Sequence, residues 1–115
     1  MSEHAFTDAD RAAVYRAIAE RRDMRHFTKQ PVDPTVLNRL LAAAHHAPSV
    51  GMMQPWRFIR ITDSSLRARI QELVETERLQ TAAALQQRSD EFLRLKVEGI
   101  RDCSELFVVA LMDQR

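Results

Sequence analysis

The sequence predicts an α+β domain made mainly of helices with about two strands, and three observations lead there. Apolar residues recur at helical spacing, as at Val14, Ala17 and Ile18 and again at Val36, Leu37, Leu40, Leu41 and Ala44. Two short stretches break that period: Trp56-Arg57-Phe58-Ile59-Arg60-Ile61 alternates large apolar and basic residues, and Leu106-Phe107-Val108-Val109-Ala110-Leu111 is continuously apolar. A long helical pattern separates the two. Two strands fall short of an ordinary sheet, which has about five. The chain, residues 1–115, therefore reads as the N-terminal part of a single larger domain, stopping before the remaining strands.

Each element has its own local signal. Thr7-Asp8-Ala9-Asp10 pairs a capping hydroxyl with an acid three residues on, which starts a helix expected to end near Arg22. Asp33-Pro34 supplies a cap and a first-turn proline for the second helix, ending around His45-His46. Residues 47–55 hold two prolines and Gly51 and read as a loop. Asp63-Ser64-Ser65 caps a long helix to about Gln87, and Ser89-Asp90-Glu91 opens another through Phe92, Leu95, Val97 and Ile100. The closing apolar run is expected to be a strand buried on both faces.

Composition excludes several classes. At 45% hydrophobic and 29% charged residues, the chain has the balance of an ordinary soluble globular protein. A net charge of +1 gives no general attraction to nucleic acid or to membrane surfaces. No apolar run approaches the ~20 residues that span a bilayer, and Met1-Ser2-Glu3-His4 does not begin a signal peptide. Cys103 is alone, so a reducing, cytoplasmic setting is expected. Gly51 and Gly99 are the only glycines, which rules out glycine-rich phosphate loops. Any phosphate has to be held by side chains.

Arg21-Arg22-Asp23-Met24-Arg25 is the run that bears on that. Basic residues at a helix exit favour the negative end of the helix dipole, and a surface Arg/Asp pair is usually a weak ion pair. Three planar guanidinium forks so close together also suit an anion. A carboxylate among them works against simple anion binding. Asp23 therefore either orients its neighbours or performs chemistry on what they hold. No metal site is expected, because His45 and His46 point to different sides of a helix and no further ligand lies at the required spacing.

Three segments together resemble the nitroreductase-like flavoprotein family: Arg21 to Arg25, Ala47-Pro48-Ser49 through Gln54-Pro55-Trp56, and Lys96-Val97-Glu98-Gly99-Ile100-Arg101. Members bind FMN at a dimer interface. The resemblance thus implies a mixed sheet flanked by helices, FMN as cofactor and a homodimer. Two departures are informative. Asp23 stands where the family usually has a serine, and Met52 where it usually has an asparagine. Both resemble the 5,6-dimethylbenzimidazole synthase branch, which consumes reduced FMN and molecular oxygen to make the lower ligand of cobalamin.

Carried over, the resemblance makes Arg21 and Arg22 phosphate holders and brings Arg25 to the flavin ring edge, with Met24 in the same arm. Pro48 and Ser49 with Gln54 line the flavin from the loop, and Leu95 and Lys96 contact it from a later helix. Asp23 becomes the catalytic base, its charged form favoured by the surrounding arginines. In that branch the aspartate acts with a serine from the later half of the protein. A separate flavin reductase is a possible source of reduced flavin. The alternatives are an NAD(P)H-dependent nitroreductase or dehalogenase relative, and a fragment that is inactive or only binds flavin.

Overall fold

Thr7 starts the first helix as its hydroxyl foretells. In the computed structural model, which describes residues 4–95 and 99–113, the Thr7 hydroxyl accepts the Asp10 N–H at 3.2 Å. The Asp10 carboxylate accepts the Thr7 N–H in return, also at 3.2 Å. Two orphan donors of the helix start are thereby satisfied. This helix, α1, runs Asp8–Glu20. Arg21 leaves helical geometry with ψ 144°. The helix thus ends before the predicted Arg22, and the whole arginine run lies beyond it.

Asp33 caps α2, Pro34–His45, by accepting the Thr35 N–H at 2.8 Å. A 3-10 turn at Val50–Met52 interrupts the loop before β1, Trp56–Arg60. Asp63 then accepts the Ser65 hydroxyl at 2.6 Å and the Leu66 N–H at 2.9 Å. Those two bonds, the hydroxyl first, hold the Asp63 carboxyl below its usual range. They open α3, Ser64–Leu85, the longest element. A 3-10 turn at Gln86–Arg88 leads into α4, Ser89–Leu93.

The helix predicted from Ser89 through Ile100 is not continuous. After α4 the Leu95 N–H reaches back only three residues, to the Phe92 carbonyl at 3.1 Å, a tightened end. Helix resumes as α5, Gly99–Asp102. Lys96, Val97 and Glu98 lie outside the described residues.

β2, Phe107–Leu111, pairs antiparallel with β1 in a register from Trp56↔Leu111 to Arg60↔Phe107. The Ile61 N–H to Leu106 carbonyl bond (2.9 Å) and the Met112 N–H to Pro55 carbonyl bond (2.7 Å) extend the ladder at both ends. Within this chain β2 is not covered on both faces. Val108, Val109 and Leu111 are exposed, because among the described residues the antiparallel pair has no flanking strand and its faces are covered only in part.

Arg67 on α3 joins the strands to the helices. Its Nε donates to the Ile61 carbonyl (3.1 Å), its Nη1 to the Cys103 carbonyl (2.5 Å) and its Nη2 to the Ser104 carbonyl (3.3 Å). One planar fork thus ties the exit of β1 to the connection entering β2. Nearby, Arg78 pairs with Glu75 at 2.8 Å and donates to the Leu93 carbonyl at 2.9 Å. These bonds tie the middle of α3 to the end of α4.

Among the described residues the buried ones are Ile61, Gln71, Ala82 and Gly99. Tyr15, Ile18 and Leu40, at 72%, 65% and 59% exposure, remain open to solvent. The radius of gyration is 18.7 Å, against about 13 Å for a compact domain of ~100 residues. The apolar faces of α1 and α2 are thus made without being covered within this chain.

Replacing Arg67 by Lys keeps the charge and removes the fork. The complete protein should lose about 1–3 kcal/mol of stability, read as a lower urea midpoint at unchanged slope. A shift equivalent to under ~0.5 kcal/mol, the size of an ordinary surface substitution, would show that the strut is dispensable.

Candidate functional site

The arm that follows α1 presents its charges outward. Arg21 Nη1 lies 3.7 Å from Asp23 Oδ1, with side chains 74% and 83% exposed. Such a pair contributes about 0–1 kcal/mol, too little to lock either group. Arg22 folds back, donating from Nη1 to the carbonyls of Ala19 (3.2 Å) and Arg21 (2.7 Å). Helix ends collect unpaired carbonyls, so a cation settles there. Both bonds use one nitrogen, and the remaining N–H groups of the fork are the ones an anion would take.

Further along, Met24, Arg25 and Phe27 line a cavity of about 270 Å³. Its other walls are Gly99, Ile100 and Cys103 on and after α5, and Glu105 to Phe107 entering β2. Gly99 is what lets the arm come so close. A Cβ placed there would run into the Phe27 ring, 2.8 Å from Cδ2, and stand 3.7 Å from the Arg25 carbonyl. Glu105 is held from behind by a two-pronged contact with Arg60, Nε to Oε2 at 2.9 Å and Nη2 to Oε1 at 2.5 Å. That hydrogen bond pushes the Arg60 guanidinium above its ordinary value and leaves the carboxylate compensated.

The loop after α2 is built differently. Ser49 Oγ accepts the Gln54 N–H at 3.0 Å, closing the turn from inside. Between them the backbone takes left-handed φ at Gly51 (58°) and Met52 (56°), and Gln54 itself sits at 45°. Glycine adopts that region freely, whereas Met52 and Gln54 do so at a cost that only the surrounding bonds can offset. His45, Pro48, Ser49, Met52 and Gln54 border a second cavity, of about 200 Å³. Ser49 and Gln54 are half-buried. Trp56 is half-buried too, and its Nε1–H donates to His45 Nδ1 at 3.0 Å.

Arm and loop line separate cavities that share no residue. Leu95 borders a third, with Leu85, Arg88, Glu91 and Phe92. Lys96 lies outside the described residues. Cys103 is half-buried at the base of the arm cavity, with Arg67 Nη1 3.9 Å from its sulfur. Among the described residues no three His, Cys, Asp or Glu side chains gather as a metal site, and no helix is long and apolar enough to cross a membrane. Arg67, the Phe27–Gly99 contact and the His45–Trp56 pair were not singled out by sequence. Only Gly99, one of two glycines, carried a visible signal.

The sequence pattern of the nitroreductase family matches residues 18–115. This chain belongs to the nitroreductase family. As a nitroreductase-family chain it is 49% identical, over 85 residues, to 5,6-dimethylbenzimidazole synthase of Rhodospirillum rubrum, covering 71% of this chain and 39% of that protein. It is 35% identical over 96 residues to the synthase of the same name from Rhodobacter capsulatus, covering 83% and 47%. A more distant relative is iodotyrosine deiodinase 1 of Rattus norvegicus, 32% identical over 63 residues, covering 55% and 22%. The chain therefore spans less than half the length of these curated relatives.

Gly99→Ala tests the docking of the arm. In the complete protein it should cost about 1–3 kcal/mol through overpacking against Phe27. In a Phe27→Ala background the same change should be neutral or stabilising, because alanine favours a helix over glycine by about 0.5–1 kcal/mol. Equal costs in both backgrounds, measured by denaturant titration, would mean that ring and glycine do not meet.

Proposed function

We propose that the complete protein converts reduced FMN and molecular oxygen to 5,6-dimethylbenzimidazole, the lower ligand of cobalamin. The observation that carries this reading is Asp23. A carboxylate stands 3.7 Å from Arg21 in the middle of an arginine-rich arm, in a chain 49% identical to a protein named for that synthesis.

The residues suit FMN in kind. Arg21 and Arg22 supply permanent cations for the phosphate in a chain with no glycine loop to do so. Arg25 serves the flavin ring edge, and Ser49 and Gln54, with Pro48 beside them, offer polar groups at an open cavity. Cavities of about 270 and 200 Å³ are each smaller than the ~300–1,000 Å³ of ordinary ligand pockets. FMN therefore needs further walls, which we assign to the rest of the protein and to a second copy in a homodimer. Leu95 and Lys96 complete the flavin contacts in this reading.

The reduced flavin is the substrate and supplies the electrons that oxygen takes. Asp23 is the general base, accepting a proton as a carbon–carbon or carbon–nitrogen bond breaks; such a base contributes about 10²–10⁴-fold. The Arg21 guanidinium, 3.7 Å from its Oδ1, is the cation beside it. The lone Cys103 suits a cytoplasmic protein, supplied with reduced flavin by a separate reductase.

A second reading, an NAD(P)H-dependent flavin reductase or dehalogenase, draws on the 32% identity to iodotyrosine deiodinase 1. Asp23 and Met52 count against it. Asp23→Asn in the complete protein should keep FMN affinity within about threefold and lower dimethylbenzimidazole formation from reduced FMN and air by about 10²–10⁴-fold. Undiminished product would sink the role of Asp23. Rapid bleaching of bound flavin by NADH or NADPH alone would favour the second reading.

A further inference from the structure

His45 ends α2 and Trp56 opens β1, so the two stand on either side of the loop that carries Ser49 and Gln54. Their rings meet edge to face, centroids 5.9 Å apart and planes at 85°. The indole Nε1–H reaches His45 Nδ1 at 3.0 Å. An indole nitrogen only donates, so Nδ1 must carry a lone pair and the imidazole proton sits on Nε2. His46 turns to a different task, its Nδ1 lying 2.7 Å from the Ala42 carbonyl on its own helix.

The loop between them needs holding. Met52 at φ 56° and Gln54 at φ 45° are left-handed without being glycine, and such positions persist only where neighbouring structure over-determines them. The Ser49–Gln54 bond fixes the loop from within. The His45–Trp56 bond fixes the spacing of its two ends. His45 also borders the same cavity as Ser49 and Gln54.

We propose that His45 is a positioning residue: by accepting the Trp56 indole N–H it clamps the ends of the loop, and so holds Ser49, and Gln54 in its left-handed form, where they meet the ligand. The role rests on the reading of Ser49 and Gln54 as flavin contacts. With the clamp gone the loop relaxes toward ordinary φ values, and a ligand then has to restore the strained form as it binds, which lowers apparent affinity.

Three variants of the complete protein separate this role from mere packing. His45→Asn keeps an acceptor oxygen close to the position of Nδ1. His45→Leu removes the acceptor, and Trp56→Phe removes the donor while keeping a ring. FMN affinity is read by flavin fluorescence. The flavin-free indole N–H resonance, assigned by its loss in Trp56→Phe, reports the bond itself. His45→Leu and Trp56→Phe should each weaken FMN binding about tenfold, and the double variant should lose no more than either. His45→Asn should stay within about threefold of the unsubstituted protein.

An indole resonance that ignores His45→Leu would overturn the bond. Additive losses, or a His45→Asn as weak as His45→Leu, would overturn the clamp as the cause. Unchanged FMN affinity in His45→Leu overturns the positioning role alone. Failure of the unsubstituted protein to bind FMN overturns the flavin reading and this role with it.

Discussion

One guanidinium organises the folded body. Arg67 reaches the carbonyls of Ile61, Cys103 and Ser104 from the first turns of α3. Those three carbonyls lie where β1 ends and where the chain turns from α5 toward β2. The strands pair through their own ladder, but the ladder does not set where the helices stand. Arg67 bonds α3 to both, beside the ladder that brings Glu105 within reach of Arg60 and the α5 start where Gly99 meets the Phe27 ring. The arm that carries Asp23 finds its place on a surface which Arg67 helps to hold.

The two halves of the candidate site are prepared to different degrees. The loop is bonded from within and across its ends, and its left-handed residues show that energy has been spent to fix one shape. The arm is charged, exposed and weakly paired. Its fixed point is Phe27 against Gly99, two residues past Arg25 and four past Asp23. The loop is thus the stiffer half. The arm is the looser half, its Arg21–Asp23 pair open to solvent.

Local chemistry made much of this legible. Thr7 with Asp10, Asp33 with Pro34, and Asp63 each began a helix where their side chains said they would, because capping is decided within a few residues. The strands followed from alternation and from a continuous apolar run, each one residue shorter than predicted. The break in the helix after Leu93 was not legible, since the tightened turn in which Leu95 closes onto Phe92 leaves the apolar periodicity unchanged. How far β2 is covered within this chain was not legible either: an apolar strand states a requirement, and whether it is met depends on what else packs there. Arg67 looked like any surface arginine, because a strut is defined by the carbonyls it meets far along the chain. The members of the candidate site were recognisable as types, but the sequence could not say that arm and loop would line separate cavities.

β2 holds five apolar residues in a row with no charge among them, and Val108, Val109 and Leu111 face solvent. A strand of this kind with an open edge is a template for another copy of itself. Assembly of the protein is therefore a race in time as well as a search for shape. The strand must be covered before it meets a neighbouring chain, and crowding at the site of synthesis shortens the interval allowed. Sequence changes that slow this covering would deplete the protein without touching a single residue near Asp23.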